Sequence, residues 1–196
     1  MSIPALDTAR ASGIPVIAEV ELASRLLPGL VVGITGTNGK STTTALAAAL
    51  LRDAGREAVA CGNFGTPWIE YALGAAEGAA PPAPSRVWVV ELSSFQLDLM
   101  TRSPHFACIT NITPNHLDRH GTMAAYAAAK KRILDFQTSE DLQVLCADDP
   151  VSAGLNTVAQ TAWFSLRAEP QGDGAWLDED GFLRLRIRKS GIADTI

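Results

Sequence analysis

Four stretches of this sequence hold residues whose types and spacing suit chemistry on phosphate. The first is Gly36-Thr37-Asn38-Gly39-Lys40-Ser41-Thr42. It follows the apolar run Leu30–Thr35 and precedes a segment with Leu46, Ala49 and Leu50 at helical spacing. Strand, glycine turn, helix is the context a phosphate loop requires. Glycines let backbone N–H groups come close to phosphate oxygens, and a helix N-terminus favours an anion. Lys40 then suits a bridge between β- and γ-phosphates, and the Ser41 hydroxyl suits Mg²⁺. The pattern GxxxxGK followed by Ser or Thr wants glycine at position 34, where this chain has Ile34. The loop is a variant with its own glycine spacing.

The second stretch is Glu91-Leu92-Ser93-Ser94-Phe95-Gln96-Leu97, directly after the apolar run Val87–Val90. Ligands of open α/β sheets bind at the carboxyl ends of strands, so Glu91 is a candidate magnesium ligand. Without the phosphate loop nearby, a carboxylate there reads as a helix cap or a solvated turn. The third stretch, Thr110 to Gly121, holds His116 and His120, with His105 close before it. These are the chain's three histidines, and no cysteine lies at zinc-ligand spacing from them. His116 suits a metal or a phosphate; the ordinary reading of a loop histidine is a hydrogen-bonded or exposed side chain. Asp118 and Arg119 read as a local ion pair. The fourth stretch, Tyr126 to Leu134, carries Lys130, Lys131 and Arg132. Spacing alone makes these three the solvated face of a helix and singles out none of them.

Positioning these residues requires an alternation of elements. Apolar runs predict strands at Ile14–Ala18, Leu30–Thr35, Ala58–Cys61, Val87–Val90, Phe106–Thr110 and Leu142–Cys146. Helices are expected from about 19 to 27, from Lys40 to Gly55, from about 67 to 73 and from about 122 to 137. The Pro- and Ala-rich residues 74–85 read as a surface loop. Strands buried on both faces and alternating with helices mean an α/β fold with a mainly parallel sheet. Residues 175–188 alternate with period two about the turn Asp178-Glu179-Asp180-Gly181 and predict a terminal β-hairpin with one apolar face to cover.

Composition narrows the function classes. The 196 residues carry 16 Lys and Arg against 21 Asp and Glu, and 47% are hydrophobic. That is a globular balance, and its acidity argues against nucleic acid or an anionic membrane as a partner. No apolar run reaches the roughly 18 residues of a membrane span, and the first residues lack a secretory pattern. Cys61, Cys108 and Cys146 are scattered and read as buried small hydrophobes in a reduced cytoplasm.

Over about residues 14–190 these stretches resemble the Mur ligase family. Residues Gly33–Thr43 match its phosphate loop, including the missing first glycine, and Gly62–Pro67 is similar to its segment that contacts the nucleotide-sugar substrate. Glu91–Leu97 points within the family to the branch that adds D-glutamate to UDP-N-acetylmuramoyl-L-alanine. The resemblance implies ATP and Mg²⁺ as cofactors, with residues Gly36, Thr37, Asn38, Gly39, Lys40, Ser41 and Thr42 on ATP. It implies Asn63, Ser93 and His116 on the substrate. It also implies that Ser41 and Glu91 hold one magnesium, and that His116 and a carbamylated Lys130 hold a second. Catalytic roles fall to Lys40, His116 and Lys130. Residues 1–29 become the end of a uridine-diphosphate-binding domain with its linker, 30–196 the ATP-binding domain, and the parent a longer cytoplasmic monomer with a C-terminal domain. Folylpolyglutamate-type ligases, a P-loop switch protein and a nucleotide-binding fragment without turnover remain open; Glu91–Leu97 argues against the first and Ile34 against the second.

Overall fold

The computed structural model describes residues 3–155 and 157–187. In chain order it forms α1 (Pro4–Ala11), α2 (Glu19–Leu26), β1 (Leu30–Thr35), α3 (Lys40–Asp53), β2 (Ala58–Gly62) and α4 (Glu70–Ala76). Then come β3 (Val87–Glu91), α5 (Ser94–Leu97), β4 (Phe106–Ile109), α6 (Leu117–His120), α7 (Met123–Lys131), β5 (Leu142–Cys146), α8 (Pro150–Ala153), β6 (Gln160–Ser165), β7 (Asp173–Leu177) and β8 (Leu183–Arg186). The eight strands make one sheet in the order β2-β3-β1-β4-β5-β6-β7-β8. Every neighbouring pair is parallel except β7 with β8.

Strand β3 shows why the centre is stable. All five of its residues are buried, and its side chains divide between two cores by the two-residue period of a strand. Val87 and Val89 face Ile34, Ala48 and Ala58 under α3. Trp88 and Val90 face the larger core with Val20, Trp68, Leu97, Tyr126 and Leu145. The switch in strand order falls between β1 and its neighbours β3 and β4, which puts their carboxyl ends side by side.

The structure corrects several expectations. Residues 14–18 are not a strand: Pro15 cannot donate to a ladder, and Val16 and Ile17 are only half-buried. Helix α1, absent from the sequence reading, has a proline in its first turn and buries none of its residues, so it leaves no apolar periodicity. Strand β6 went unassigned because its side chains are mostly half-buried on both faces. The helix expected over 67–73 begins and ends three residues later, and the one expected to reach 137 ends at Lys131, with single turns carrying the chain on to Gln137. The hairpin forms as expected up to residue 187; Arg188 lies outside the described residues. All three cysteines are free, and burial pushes Cys61 and Cys108 up to about 12.

Candidate active site

The loop between β1 and α3 turns on two glycines. Gly36 has φ +147°, and Gly39, the N-cap of α3, has φ +82°. A side chain at Gly36 would place its Cβ 1.9 Å from Thr110 Oγ1. That contact and its φ together demand glycine. Lys40, the first residue of α3, folds back so that Nζ donates to Thr37 O at 2.9 Å. Ser41 and Thr42 are exposed on the first turn of α3.

A second lysine reaches the same loop. Lys130 on α7 is only 2% exposed, and its Nζ donates to Gly36 O at 2.8 Å. The expectation of a solvated face is therefore overturned for Lys130. Lys131 meets the surface, pairing with Asp135, and Arg132 Nε donates to Met100 O. Burial, with the neighbouring Lys40 charge second, pulls the Lys130 amine down from 10.5 to about 8. One helical turn earlier, Tyr126 is 1% exposed, with its ring 4.7 Å from Lys130 Nζ and its hydroxyl 3.3 Å from Thr37 Oγ1. No role had been assigned to Tyr126. The signal available for it was the i, i+4 spacing of an aromatic and a lysine on one helix face.

Glu91 ends β3 in register with Ile34 of β1 and Gly62 of β2. It is 2% exposed, which excludes the reading as a solvated turn. Asn63 grips it twice: its N–H donates to Glu91 O and its Nδ2 to Glu91 Oε1, both at 2.9 Å. The other carboxylate oxygen, Oε2, is buried without a partner. Ser93 caps α5 in a reciprocal box with Gln96, and Gln96 Nε2 donates onward to Glu19 at 2.9 Å. His116 stands at φ +50°, and among the described residues it alone adopts positive φ without being glycine. Its ring lies edge-on to Phe95 at 5.7 Å. His120 stacks on Phe95 at 5.3 Å and shares a 3.0 Å hydrogen bond with Ser94. The Arg119 guanidinium lies over the Phe95 ring, 4.8 Å from its centroid.

These elements enclose a cavity of about 260 Å³ lined by Lys40, Asn63, Ser93, Phe95, His116, Tyr126 and Lys130, with Ser94 behind. The fold thus gathers five of the residues singled out from sequence: Lys40, Asn63, Ser93, His116 and Lys130. Glu91 sits beneath them, joined through Asn63, and Ser41 and Thr42 lie outside the cavity wall on α3. Among the described residues there is no group of three or more His, Cys, Asp or Glu poised for a metal. Mg²⁺ does not need one, because it keeps several waters and takes one or two carboxylates plus substrate phosphates. The unpartnered Oε2 of Glu91 beside a phosphate loop fits that demand.

Residues 34–177 match the family described as the Mur ligase middle domain. The chain belongs to the Mur ligase family. It is 44% identical over 181 residues to a UDP-N-acetylmuramoylalanine–D-glutamate ligase of Koribacter versatilis, covering 90% of this chain and 38% of that protein. It is 50% identical over 149 residues to the ligase of the same name from Anaeromyxobacter dehalogenans, covering 75% and 30%. The chain therefore spans well under half the length of these relatives. Among solved Mur ligases, the MurF ligase of Thermotoga maritima in complex with ADP shares the fold at a TM-score of 0.56 and 22% identity, covering 76% of this chain and 35% of that one. A UDP-N-acetylmuramate:L-alanyl-γ-D-glutamyl-meso-diaminopimelate ligase from Neisseria meningitides does so at 0.59 and 18%, covering 92% and 60%. Among the described residues no helix is long and apolar enough to cross a membrane.

Proposed function

We propose that this chain is the ATP-handling part of a ligase that adds D-glutamate to UDP-N-acetylmuramoyl-L-alanine. One observation carries the reading: Lys130, buried with its amine lowered to about 8, reaches the Gly36 carbonyl of the loop and lines one cavity with Lys40. A structural lysine would keep its charge in water. The names of the relatives at 44% and 50% identity support the choice of substrates. Residues 30–196 then form the ATP domain, and residues 1–29 close a preceding nucleotide-sugar domain of a longer, cytoplasmic, monomeric protein.

The residues divide the work. Amides of Gly39, Lys40 and Ser41 cradle the phosphates, with the carbonyl-tethered Lys40 swinging onto the β- and γ-oxygens. Ser41 and Glu91 would hold one Mg²⁺, and His116 with Lys130 a second. The ions supply charge neutralisation between the γ-phosphate and the acceptor carboxylate, which otherwise repel. Lys130 serves this role as a carbamate: its neutral amine attacks CO₂, forms an N–C bond and releases one proton. A lowered pKa keeps that amine available near pH 8. Asn63 and Ser93 orient the nucleotide substrate at the cavity mouth. The alanine carboxylate takes the γ-phosphoryl group as an acyl phosphate, and the D-glutamate amine displaces phosphate.

Calorimetry with Mg·ATP tests the reading. Lys40→Ala is expected to weaken binding by about 2–4 kcal/mol, the worth of charge-assisted hydrogen bonds from Lys40 to two phosphates. Unchanged affinity would overturn the phosphate-loop assignment. Folylpolyglutamate-type chemistry is separated by supplying D-glutamate against L-glutamate acceptors to the full-length parent.

A further inference from the structure

The phosphate loop lacks a glycine at position 34; Ile34 is instead buried in β1. Its shape must come from elsewhere, and the structure shows the source. Residues 110–113, just past β4, pair with the loop group by group. Thr37 N–H donates to Asn111 O at 2.8 Å. Asn38 N–H donates to Asn111 Oδ1 and Asn111 Nδ2 donates back to Asn38 O, both at 3.1 Å. Thr110 Oγ1 donates to the same Asn38 O at 2.7 Å. Thr37 Oγ1 donates to Thr113 O and accepts from Thr113 N–H, each at 3.0 Å. The Asn111 carboxamide imitates one rung of a β-ladder, serving the N–H and the C=O of a single residue.

We propose that Asn111 is a positioning residue of the phosphate loop, whose carboxamide fixes the Asn38 peptide so that the Gly39 N–H is aimed at bound phosphate. A peptide is planar and trans, so a carbonyl and the N–H that follows it point in opposite directions. Two donors, Thr110 Oγ1 and Asn111 Nδ2, hold the Asn38 oxygen towards residues 110–111. The Gly39 N–H is therefore turned away from them, towards the free first turn of α3, where unpaired helix amides meet anions. Gly39 at φ +82° permits that peptide orientation and would equally permit its reverse. In the reversed peptide the Asn38 oxygen would face the phosphate, and like partial charges would repel. Asn111 decides between the two. The proposal rests on the loop being a nucleotide cradle, and it deepens that reading by naming what shapes the cradle.

The test compares the 196-residue chain with its Asn111→Ala variant by amide hydrogen exchange, thermal unfolding and calorimetry with Mg·ADP. The Asn38 amide is expected to exchange at least about 10-fold faster in the variant while amides beyond Thr44 keep their rates. Mg·ADP affinity is expected to fall about 5- to 30-fold, the effect of one or two lost hydrogen bonds. Asn111→Asp keeps the Oδ1 acceptor but sets a carboxylate oxygen where Nδ2 donated to Asn38 O. It is therefore expected to weaken Mg·ADP at least as much as Asn111→Ala, and it supplies the readout if the alanine variant folds poorly. Intact affinity in Asn111→Asp counts against the proposal. Exchange at Asn38 unchanged by Asn111→Ala overturns the clip. Faster exchange with Mg·ADP affinity intact overturns its role in aiming the loop. If the unmodified chain binds no ADP, the nucleotide reading falls, and exchange alone decides whether Asn111 holds the loop.

Discussion

Lys130 places a cation where little of it meets solvent, and the fold bears that cost. Its amine titrates near 8 in place of 10.5, chiefly through burial and then through Lys40. Between those values the unfolded chain binds a proton that the folded chain has released, so stability rises with pH across that window. Below pH 8 the full penalty remains, on the order of 3 kcal/mol. Lys130→Met removes it and forfeits one hydrogen bond to Gly36, about 1 kcal/mol. In CO₂-depleted buffer the variant is expected to be more stable by about 1–2 kcal/mol at pH 7, with the gain shrinking towards pH 10. Thermal unfolding at both pH values checks this, and a less stable variant at pH 7 contradicts it. Glu91 also buries an oxygen without a partner, Oε2. Glu91→Gln keeps the Oε1 acceptor for Asn63, so the fold should persist. The gain in ADP affinity on adding Mg²⁺ should shrink by about 10-fold, because the charged oxygen left free for the metal is gone. An unaltered Mg²⁺ dependence would remove Glu91 from the metal site.

Strands β1, β3 and β4 fix where the loops leave the sheet, and the loops then stitch to one another. The Gly36 carbonyl receives Lys130, while the space where its Cβ would lie is filled by Thr110 Oγ1. Gly36→Ala is expected to cost about 2–4 kcal/mol by denaturant unfolding, as overpacking plus backbone strain. Adding Thr110→Ala removes the nearer clash and should recover part of that loss, leaving the strain at φ +147°. Strict additivity of the two changes would show that they do not share this contact.

At the scale of the whole molecule, the site is finished on one side only. Lys130, Glu91 and Tyr126 are buried, whereas Asn63, His116 and Ser41 are exposed. An open site stays wet, which weakens each charge interaction in it. Holding two reactants in place accounts for roughly 7–11 kcal/mol of a barrier. The isolated 196-residue chain is therefore expected to form no D-glutamyl product from ATP, Mg²⁺, D-glutamate and the nucleotide substrate. Product detected by mass spectrometry at multiple turnover would contradict this. On β8 the side chains of Leu183 and Leu185, with Ile187 just past it, are exposed on one face, while Arg184 and Arg186 pair with Asp178 and Glu169. Such a stripe favours association at high concentration. Sedimentation of a Leu185→Lys variant should show less of it than the parent chain.

Apolar runs located β1 to β5 and helices α3, α4 and α7, because a strand buried on both faces must be apolar throughout, as Val87–Val90 is. They also suggested a strand over 14–18 that does not form, and they missed β6. The glycine turn before Lys40 and Ser41 likewise located the loop between β1 and α3. The resemblance to the family supplied Lys130, which spacing alone had left on a solvated face. Tertiary structure decided the rest. Helical spacing cannot say which of three adjacent cations turns inward; that depends on where α7 lies against β1, and the answer is a 2.8 Å bond from Lys130 to Gly36 O. Nor does the sequence near Glu91 say that Asn63, 28 residues earlier, would occupy one carboxylate oxygen and leave the other bare. Asn111 lies 73 residues from Asn38, and its partnership with that backbone follows only from β1 and β4 being neighbours in the sheet. Local patterns are written in the chain's own spacing, whereas contacts across a sheet depend on strand order, which local pattern does not encode.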